Sequence, residues 1–207
     1  GLSTDSECKL CSAGKWSTLT GITIPYDNSA AVDCDDHYSE NAKSGKYEIN
    51  PGGVGAFDVY CDFDRNDGPW TVFQKRFDGS VDFYRNYKPY QDGFGTPDGE
   101  HWLGLDKIRR LSELNGMMLR IDLCGNSGCS FARYETFSIG SSTDGYRLAV
   151  SNFNSSSTLV QMLLYHNGRK FSAKDKDQDM VSTGNCATTI SHGAWWYGSC
   201  HEVNLNG

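Results

Sequence analysis

The 207-residue sequence lacks the features that identify several large classes of protein. No apolar run approaches the roughly 18 residues of a membrane-spanning helix, and nothing at residues 1–10 resembles a signal peptide. We therefore expect no membrane partner, and a targeting segment that has already been removed. Internal repeats, heptads and collagen triplets are also absent, which excludes solenoids, coiled coils and collagen-like chains.

Basic residues are too few for a protein that neutralises phosphates. Lys and Arg number 19 against 26 Asp and Glu, which gives a formal net charge of −7 and a pI near 5.1. Nucleic-acid binding needs clustered Lys and Arg, so we expect no nucleic-acid partner.

Catalytic motifs are missing as well, and we predict that the protein is not an enzyme. The sequence has no Gly-x-Ser-x-Gly, no His-Glu-x-x-His and no glycine-rich phosphate loop. The Cys8-x2-Cys11 pair lacks the βαβ surroundings of a redox motif, which favours a structural or inter-chain disulfide. The five histidines are scattered along the chain, at His37, His101, His166, His192 and His201.

Cysteine, in contrast, is abundant, with eight residues. Zinc binding would need two close pairs, but no second Cys or His pair mirrors Cys8 and Cys11. We therefore predict disulfides, and with them a secreted, extracellular protein. The Asn154-Ser-Ser tripeptide adds one N-glycosylation acceptor. Pairing of sequence neighbours predicts the bonds Cys34–Cys61, Cys124–Cys129 and Cys186–Cys200.

Composition divides the chain into a polar lead-in segment, residues 1–32, and one folded domain, residues 33–207. Apolar residues spaced by three predict a helix over residues 106–114, with Asp106 as its cap. After Asn154 loops dominate, and such loops commonly carry binding residues. Short apolar runs between turn-forming residues predict strands at 47–49, 56–61, 70–77, 118–123, 131–139 and 146–152.

Several short strings occur in one order along the chain. They include Phe57-Asp58-Val59-Tyr60-Cys61-Asp62, Trp70-Thr71-Val72-Phe73-Gln74, Asp78-Gly79-Ser80-Val81-Asp82-Phe83-Tyr84-Arg85, Glu100-His101-Trp102-Leu103-Gly104, Tyr165-His166-Asn167-Gly168, Gly193-Ala194-Trp195-Trp196-Tyr197, Cys200-His201 and Asn204-Leu205-Asn206-Gly207. Together they resemble the fibrinogen-related domain, the globular module of fibrinogen chains, ficolins, tachylectins, tenascins and angiopoietins. The resemblance covers about residue 33 to the C-terminus.

The resemblance implies an α+β fold of the fibrinogen C-terminal type. Such a fold has a small disulfide-tied N-terminal lobe, a central twisted antiparallel sheet with short helices, and a loop-rich C-terminal lobe that binds calcium and ligand. The resemblance also implies the Cys34–Cys61 and Cys186–Cys200 bonds, but it does not account for the other four cysteines. Family members continue past the final Asn-Leu-Asn-Gly string, so we expect the sequence ending at Gly207 to be part of a longer chain.

Residues 174–184 place carboxylates at alternate positions in a loop. Calcium takes about six to eight hard oxygen ligands, which such a loop can supply, although a solvated charged loop would show the same run. The resemblance favours calcium. It implies Asp177 and Asp179 as carboxylate ligands and the carbonyls of Val181 and Thr183 as further ligands.

Ser199, Cys200 and His201 match the ligand pocket of the family. The resemblance implies a cis peptide between Ser199 and Cys200, and backbone N–H groups of Cys200 and His201 that receive the carbonyl oxygen of an acetyl group. Trp196 and Tyr197 are the local candidates for an apolar wall around the acetyl methyl, with core packing as the alternative.

The sequence departs from the family's pocket pattern at Ile190, where a tyrosine is common. The interval between Cys186 and Cys200 is also one residue longer than usual. We therefore expect weak binding at a single site and a homo-oligomer that compensates by multivalency. The acidic residues that receive a peptide amine in fibrinogen-type pockets are missing, which argues against a fibrin-knob function.

Together these patterns predict a secreted, calcium-binding, non-enzymatic recognition domain. The favoured function is that of a lectin that binds acetylated glycans on microbial surfaces in innate immunity. The alternative is a protein-binding module, either an angiopoietin-like receptor ligand or a tenascin-like matrix domain. A lectin requires the acetyl pocket, whereas a protein-binding module does not.

Overall fold

The computed structural model describes residues 30–65, 67–125, 128–189 and 192–207. Most of the lead-in segment, with Cys8 and Cys11, lies outside these ranges. The described helices are α1 Tyr87–Asp92, α2 Leu105–Ser112 and α3 Cys186–Thr189, and none has the length and apolar character of a membrane span. The strands are β1 Gly45–Ile49, β2 Phe57–Asp62, β3 Trp70–Val72, β4 Gln74–Lys75, β5 Phe94–Gly95, β6 His101–Trp102, β7 Leu119–Gly125, β8 Gly128–Ile139 and β9 Leu148–Phe153.

The N-terminal lobe is an antiparallel sheet in the order β1-β2-β3. Its register places Tyr47 opposite Val59, and Val59 belongs to the buried face. A 3-10 turn before β1 carries Cys34, which is bonded to Cys61 of β2 with 5.5 Å between the Cα atoms. The predicted Cys34–Cys61 bond is confirmed.

The predicted strand over 70–77 is divided between two sheets at Phe73. β3 pairs with β2, whereas β4 pairs with β6 in the order β4-β6-β5. At the break, the Phe73 carbonyl accepts the Leu103 N–H at 2.8 Å. A single segment of alternating apolar and polar residues can therefore contribute strands to two sheets. The periodicity of the sequence does not show where such a division falls.

The predicted helix is present as α2, but Asp106 does not cap it. Gly104 occupies the N-cap position with φ of 108°. A Cβ at this position would lie 2.7 Å from the backbone of Asp92, so the close approach of two segments requires glycine. Asp106 lies in the first turn, where its carboxylate accepts the Tyr146 hydroxyl and faces the positive end of the helix dipole.

The largest sheet has the order β7-β8-β9. Cys124 and Cys129 lie directly opposite each other near the tip of the β7–β8 hairpin and are bonded, with 4.0 Å between their Cα atoms. The last three predicted strands and the Cys124–Cys129 bond are thus confirmed. The described strands form three three-stranded sheets, and β7-β8-β9 is the largest of them.

An aromatic cluster joins these sheets to the C-terminal lobe, residues 154–207. Phe171 of that lobe packs against Tyr90 of α1 at 5.3 Å between ring centroids, and against Trp196 at 5.0 Å. Trp102 of β6 lies 5.5 Å from Tyr90. Each such aromatic pair stabilises the fold by about 1 kcal/mol in addition to the effect of burying apolar surface. The pairs therefore attach the C-terminal lobe firmly to the sheets.

A buried carboxylate organises the segment that leads into α1. Glu100 is 2% exposed and accepts backbone N–H groups from Phe77, Asp78 and Gly79 at Oε1 and from Val81 at Oε2, over 2.6–3.1 Å. Burial by itself would raise the pKa of Glu100, but these four donors outweigh it and lower the pKa to about 2. The carboxylate therefore stays ionised and fixes this loop.

Candidate functional site

The candidate site lies in the C-terminal lobe, around the bond between Cys186 and Cys200. This predicted disulfide is confirmed, with 5.2 Å between its Cα atoms. Cys186 begins α3, and Cys200 lies in the turn formed by residues 198–201. The disulfide thus ties this turn to the helix that follows the acidic loop.

The turn of residues 198–201 presents backbone donors. The Gly198 N–H donates to the Cys200 carbonyl at 2.9 Å, and the exposed Ser199 donates its N–H to the Tyr165 hydroxyl at 2.7 Å. Among the described residues, no hydrogen-bond acceptor faces the N–H groups of Cys200 and His201. Two adjacent N–H groups on this tethered turn therefore have no partner within the described ranges.

The predicted cis peptide between Ser199 and Cys200 is wrong. The described residues contain no cis peptide bond. The Gly198-to-Cys200 hydrogen bond and the disulfide close the turn with a trans bond, which avoids the roughly 3–4 kcal/mol that a cis non-proline bond costs.

Trp196 lies in the core. It is 2% exposed, and its indole N–H donates to the Tyr146 carbonyl at 2.7 Å, which fits the core-packing alternative. Tyr197 is also buried, with its hydroxyl bonded to the Gly193 carbonyl and its ring 6.0 Å from that of the half-buried His201. Ile190 lies outside the described residues.

The two aspartates of the acidic loop have different surroundings. Asp179 accepts the Val181 N–H at 2.7 Å and the Cys186 N–H at 2.8 Å, one on each oxygen. Asp177 is exposed and accepts the Asp179 N–H at 3.1 Å. Desolvation and the nearby Asp179 carboxylate raise the pKa of Asp177. Negative charge is therefore concentrated beside the disulfide.

The carbonyls of Val181 and Thr183 accept no hydrogen bond within the described ranges. Together with the two carboxylates they form a set of hard oxygen donors, which fits calcium. No cluster of three or more Asp, Glu, His or Cys that could hold a metal occurs in the part of the chain that the structure describes. A calcium site here would depend on backbone oxygens and water.

Tyr165 and His166 support the turn of residues 198–201. This role was not predicted from the sequence, although the two residues belong to one of the strings that carry the family resemblance. Tyr165 holds Ser199, as above. The buried His166 places Nδ1 2.9 Å from the Trp196 carbonyl, and its Nε2 accepts the Val203 N–H at 3.2 Å. This arrangement requires a neutral ring with its proton on Nδ1. His166 therefore connects both sides of the turn.

Acidification is expected to weaken this support. Burial lowers the pKa of His166 despite the Trp196 carbonyl, so the unfolded chain takes up the proton first. The contribution of His166 to the free energy of unfolding is therefore fully present above about pH 6.5, and it declines as the pH falls below that value. His166→Gln, which can donate and accept without titrating, should reduce the difference between urea midpoints at pH 7.5 and 5.0. An unchanged difference would show that other groups cause the pH dependence.

Asn154 begins the polar loop after β9. Its side-chain oxygen accepts the Ser156 N–H at 2.8 Å and the Ser156 hydroxyl at 2.6 Å, and its amide donates to Glu135. The tripeptide therefore forms a compact turn at the surface. Glycosylation at Asn154 remains a prediction.

Comparison with protein families matches residues 30–207 to the C-terminal globular domain of fibrinogen beta and gamma chains. The chain belongs to this fibrinogen C-terminal domain family. The resemblance found in the sequence is confirmed, and so is the fold class. The family is non-enzymatic.

The relatives of this fibrinogen C-terminal domain differ in total length. Microfibril-associated glycoprotein 4 of Bos taurus is 44% identical over 184 residues, which cover 85% of this chain and 71% of the relative. Human Fibrinogen C domain-containing protein 1 is 45% identical over 170 residues, or 79% of this chain and 36% of that longer protein. The solved fibrinogen-like globe domain of human ANGPTL2 has a TM-score of 0.80 and 36% identity, covering 86% of this chain and 82% of that one.

Proposed function

We propose that this fibrinogen C-terminal domain is a secreted, calcium-dependent recognition domain that binds an acetyl group at the turn of residues 198–201. The observation that carries the proposal is the pair of unpartnered N–H groups at Cys200 and His201 beside the exposed Ser199. Preorganised donors on a disulfide-tied turn can hold a carbonyl oxygen without reordering. Acetylated glycans of microbial surfaces carry this group in many copies.

Calcium would act on the turn through the acidic loop. Asp179 accepts the Cys186 N–H, and the Met180 N–H donates to the Gly198 carbonyl at 3.1 Å. The loop therefore contacts the turn directly as well as through the disulfide. The proposed ligands are Asp177 and Asp179 with the carbonyls of Val181 and Thr183. Bound calcium would supply positive charge that offsets the two carboxylates.

A single acetyl group buries little area, since one methyl contributes about 0.8 kcal/mol. Useful retention on a surface therefore requires several domains, and the proposal includes a homo-oligomer that binds by avidity. Three described disulfides suit the oxidising environment outside the cell.

A second candidate function is protein binding, either to a cell-surface receptor or in the extracellular matrix. Val160 and Leu164 of the C-terminal lobe expose 79% and 61% of their surface, which suits an apolar protein partner. The structural similarity to the ANGPTL2 globe domain is compatible with this alternative. Such a partner would not depend on the N–H groups of the turn.

His201→Ala is expected to reduce retention on N-acetylated resin at least tenfold, because this side chain borders the donors and packs against Tyr197. The calcium-dependent rise in melting temperature should persist, since the substitution leaves the acidic loop intact. His37→Ala, in the N-terminal lobe, serves as the matched control and should bind like the parent. Equal retention of both variants would show that the acetyl group binds elsewhere, and it would favour the protein-binding candidate.

A further inference from the structure

A cavity of about 240 Å³ lies beside the acidic loop, and its lining is cationic. Arg147 follows a 3-10 turn, and Arg169 and Lys170 precede the core residue Phe171. Gln178, Met180 and Tyr197 complete the principal walls. Three positive side chains thus converge in a protein whose net charge is −7.

Arg169 lacks the partners that a guanidinium normally has. Its Nε is buried without a hydrogen bond, and one terminal nitrogen faces the sulfur of Met180, which is a weak acceptor. Within the described ranges, Arg169 and Lys170 form no salt bridge with any carboxylate. A partly desolvated guanidinium without an anion is costly, which points to a ligand that supplies one.

Arg147, unlike Arg169, has polar partners for its guanidinium. Its guanidinium lies 3.3 Å from the Asp144 carboxylate and donates to the Gly168 carbonyl at 2.6 Å. Its charge is thereby partly compensated, whereas those of its two neighbours are not. Among the described residues, the lining of the cavity contains no Asp or Glu. The lining itself therefore carries a net positive charge.

The backbone around Arg169 is fixed before any ligand arrives. The Arg169 carbonyl accepts the Leu148 N–H at 3.0 Å, and the Gly168 N–H donates to the Leu148 carbonyl at 2.8 Å. On the other side, the Phe171 N–H donates to the Gly145 carbonyl at 2.9 Å. The backbone of this segment therefore needs no reordering when a ligand binds.

We infer that this cavity binds an anionic oxygen group of an acidic sugar, either a sulfate ester or a carboxylate. The planar guanidinium of Arg169 donates to two oxygens of the group, and Lys170 contributes a second positive charge. The cavity is small enough for one substituent of a sugar rather than for a whole oligosaccharide. This site does not depend on the proposed acetyl-binding turn.

The test is a titration with galactose 6-sulfate, glucuronic acid and galactose, at constant ionic strength and saturating calcium. The readout is the Arg169 Nε–H signal in the NMR spectrum, since a bound anion shifts it directly. We expect at least one acidic sugar to bind ten times or more tightly than galactose, and to shift this signal. Binding of the sulfated sugar alone would assign a sulfate ester, and binding of glucuronic acid alone would assign a carboxylate.

Arg169→Gln should reduce this affinity at least tenfold, and Lys170→Gln several-fold, which keeps the test valid if one variant folds poorly. Arg109→Gln is the matched control, because it removes the same charge from a half-buried arginine on α2 that pairs with Glu113. Equal affinity in Arg169→Gln and Arg109→Gln would overturn the assignment, as would equal binding of galactose and both acidic sugars. A free N-acetylated sugar should not displace the acidic sugar, so failure at one site is distinguishable from failure at the other.

Discussion

Replacement of Glu100 by glutamine is expected to destabilise the domain by about 3 kcal/mol, which follows from a pKa lowered to about 2 from 4.5. Glutamine retains one oxygen for the three donors at Oε1. However, its NH2 group would then meet the Val81 N–H, and two donors cannot bond to each other. The segment before α1 should therefore loosen, and the free energy of unfolding from urea titration should fall.

Glu113→Gln is the control for this prediction. Glu113 is exposed and pairs with Arg109 one helical turn away, so its replacement should cost less than about 0.5 kcal/mol. The parent should also lose stability as the pH falls from about 4.5 towards 2, because the unfolded chain protonates first. Glu100→Gln should lack this part of the acid transition. Equal urea midpoints for the two variants would refute the role of the buried carboxylate.

Asp177→Asn is expected to raise the melting temperature without calcium and to remove the rise that calcium causes. The asparagine oxygen can still accept the Asp179 N–H, while the repulsion between the two carboxylates disappears. In the parent, calcium at 100 times its Kd should stabilise the fold by about 2.7 kcal/mol, or about 5–10 °C. Differential scanning fluorimetry with calcium and with a chelator measures both effects.

Asp175→Asn is the control within the same loop. The Asp175 carboxylate accepts the Tyr87 N–H at 2.7 Å, at the start of α1, and an asparagine oxygen can still accept this N–H, so the baseline stability should change little. The calcium-dependent rise should remain complete, because this carboxylate faces α1. If Asp177→Asn kept the same rise as Asp175→Asn, the proposed calcium site would be wrong.

The features that sequence reasoning found are local ones. Alternation of buried and exposed residues around Val59 and Tyr134 locates strands, and the spacing of Ile108 and Leu111 locates α2. Disulfide pairing followed from short separations, which reach 27 residues at most among the described bonds. Such signals depend on a few neighbouring residues, so contacts with distant parts of the chain do not change them.

The features that sequence reasoning missed depend on distant contacts. α1 is six residues long and contains Pro89, so no periodic pattern marks it, and the N–H of its first residue is bonded to Asp175, 88 positions away. Glu100 resembles any surface glutamate until its four backbone donors surround it. Likewise, nothing in the sequence shows that Arg169 ends beside a sulfur rather than a carboxylate.

The three described disulfides also bear on how the chain acquires its structure. Each one joins cysteines within a single lobe or hairpin, over 27, 5 and 14 residues. Closing such short loops costs little chain entropy, so oxidation can accompany the formation of each local unit during synthesis. Correct pairing of these six cysteines then requires no search across the whole chain.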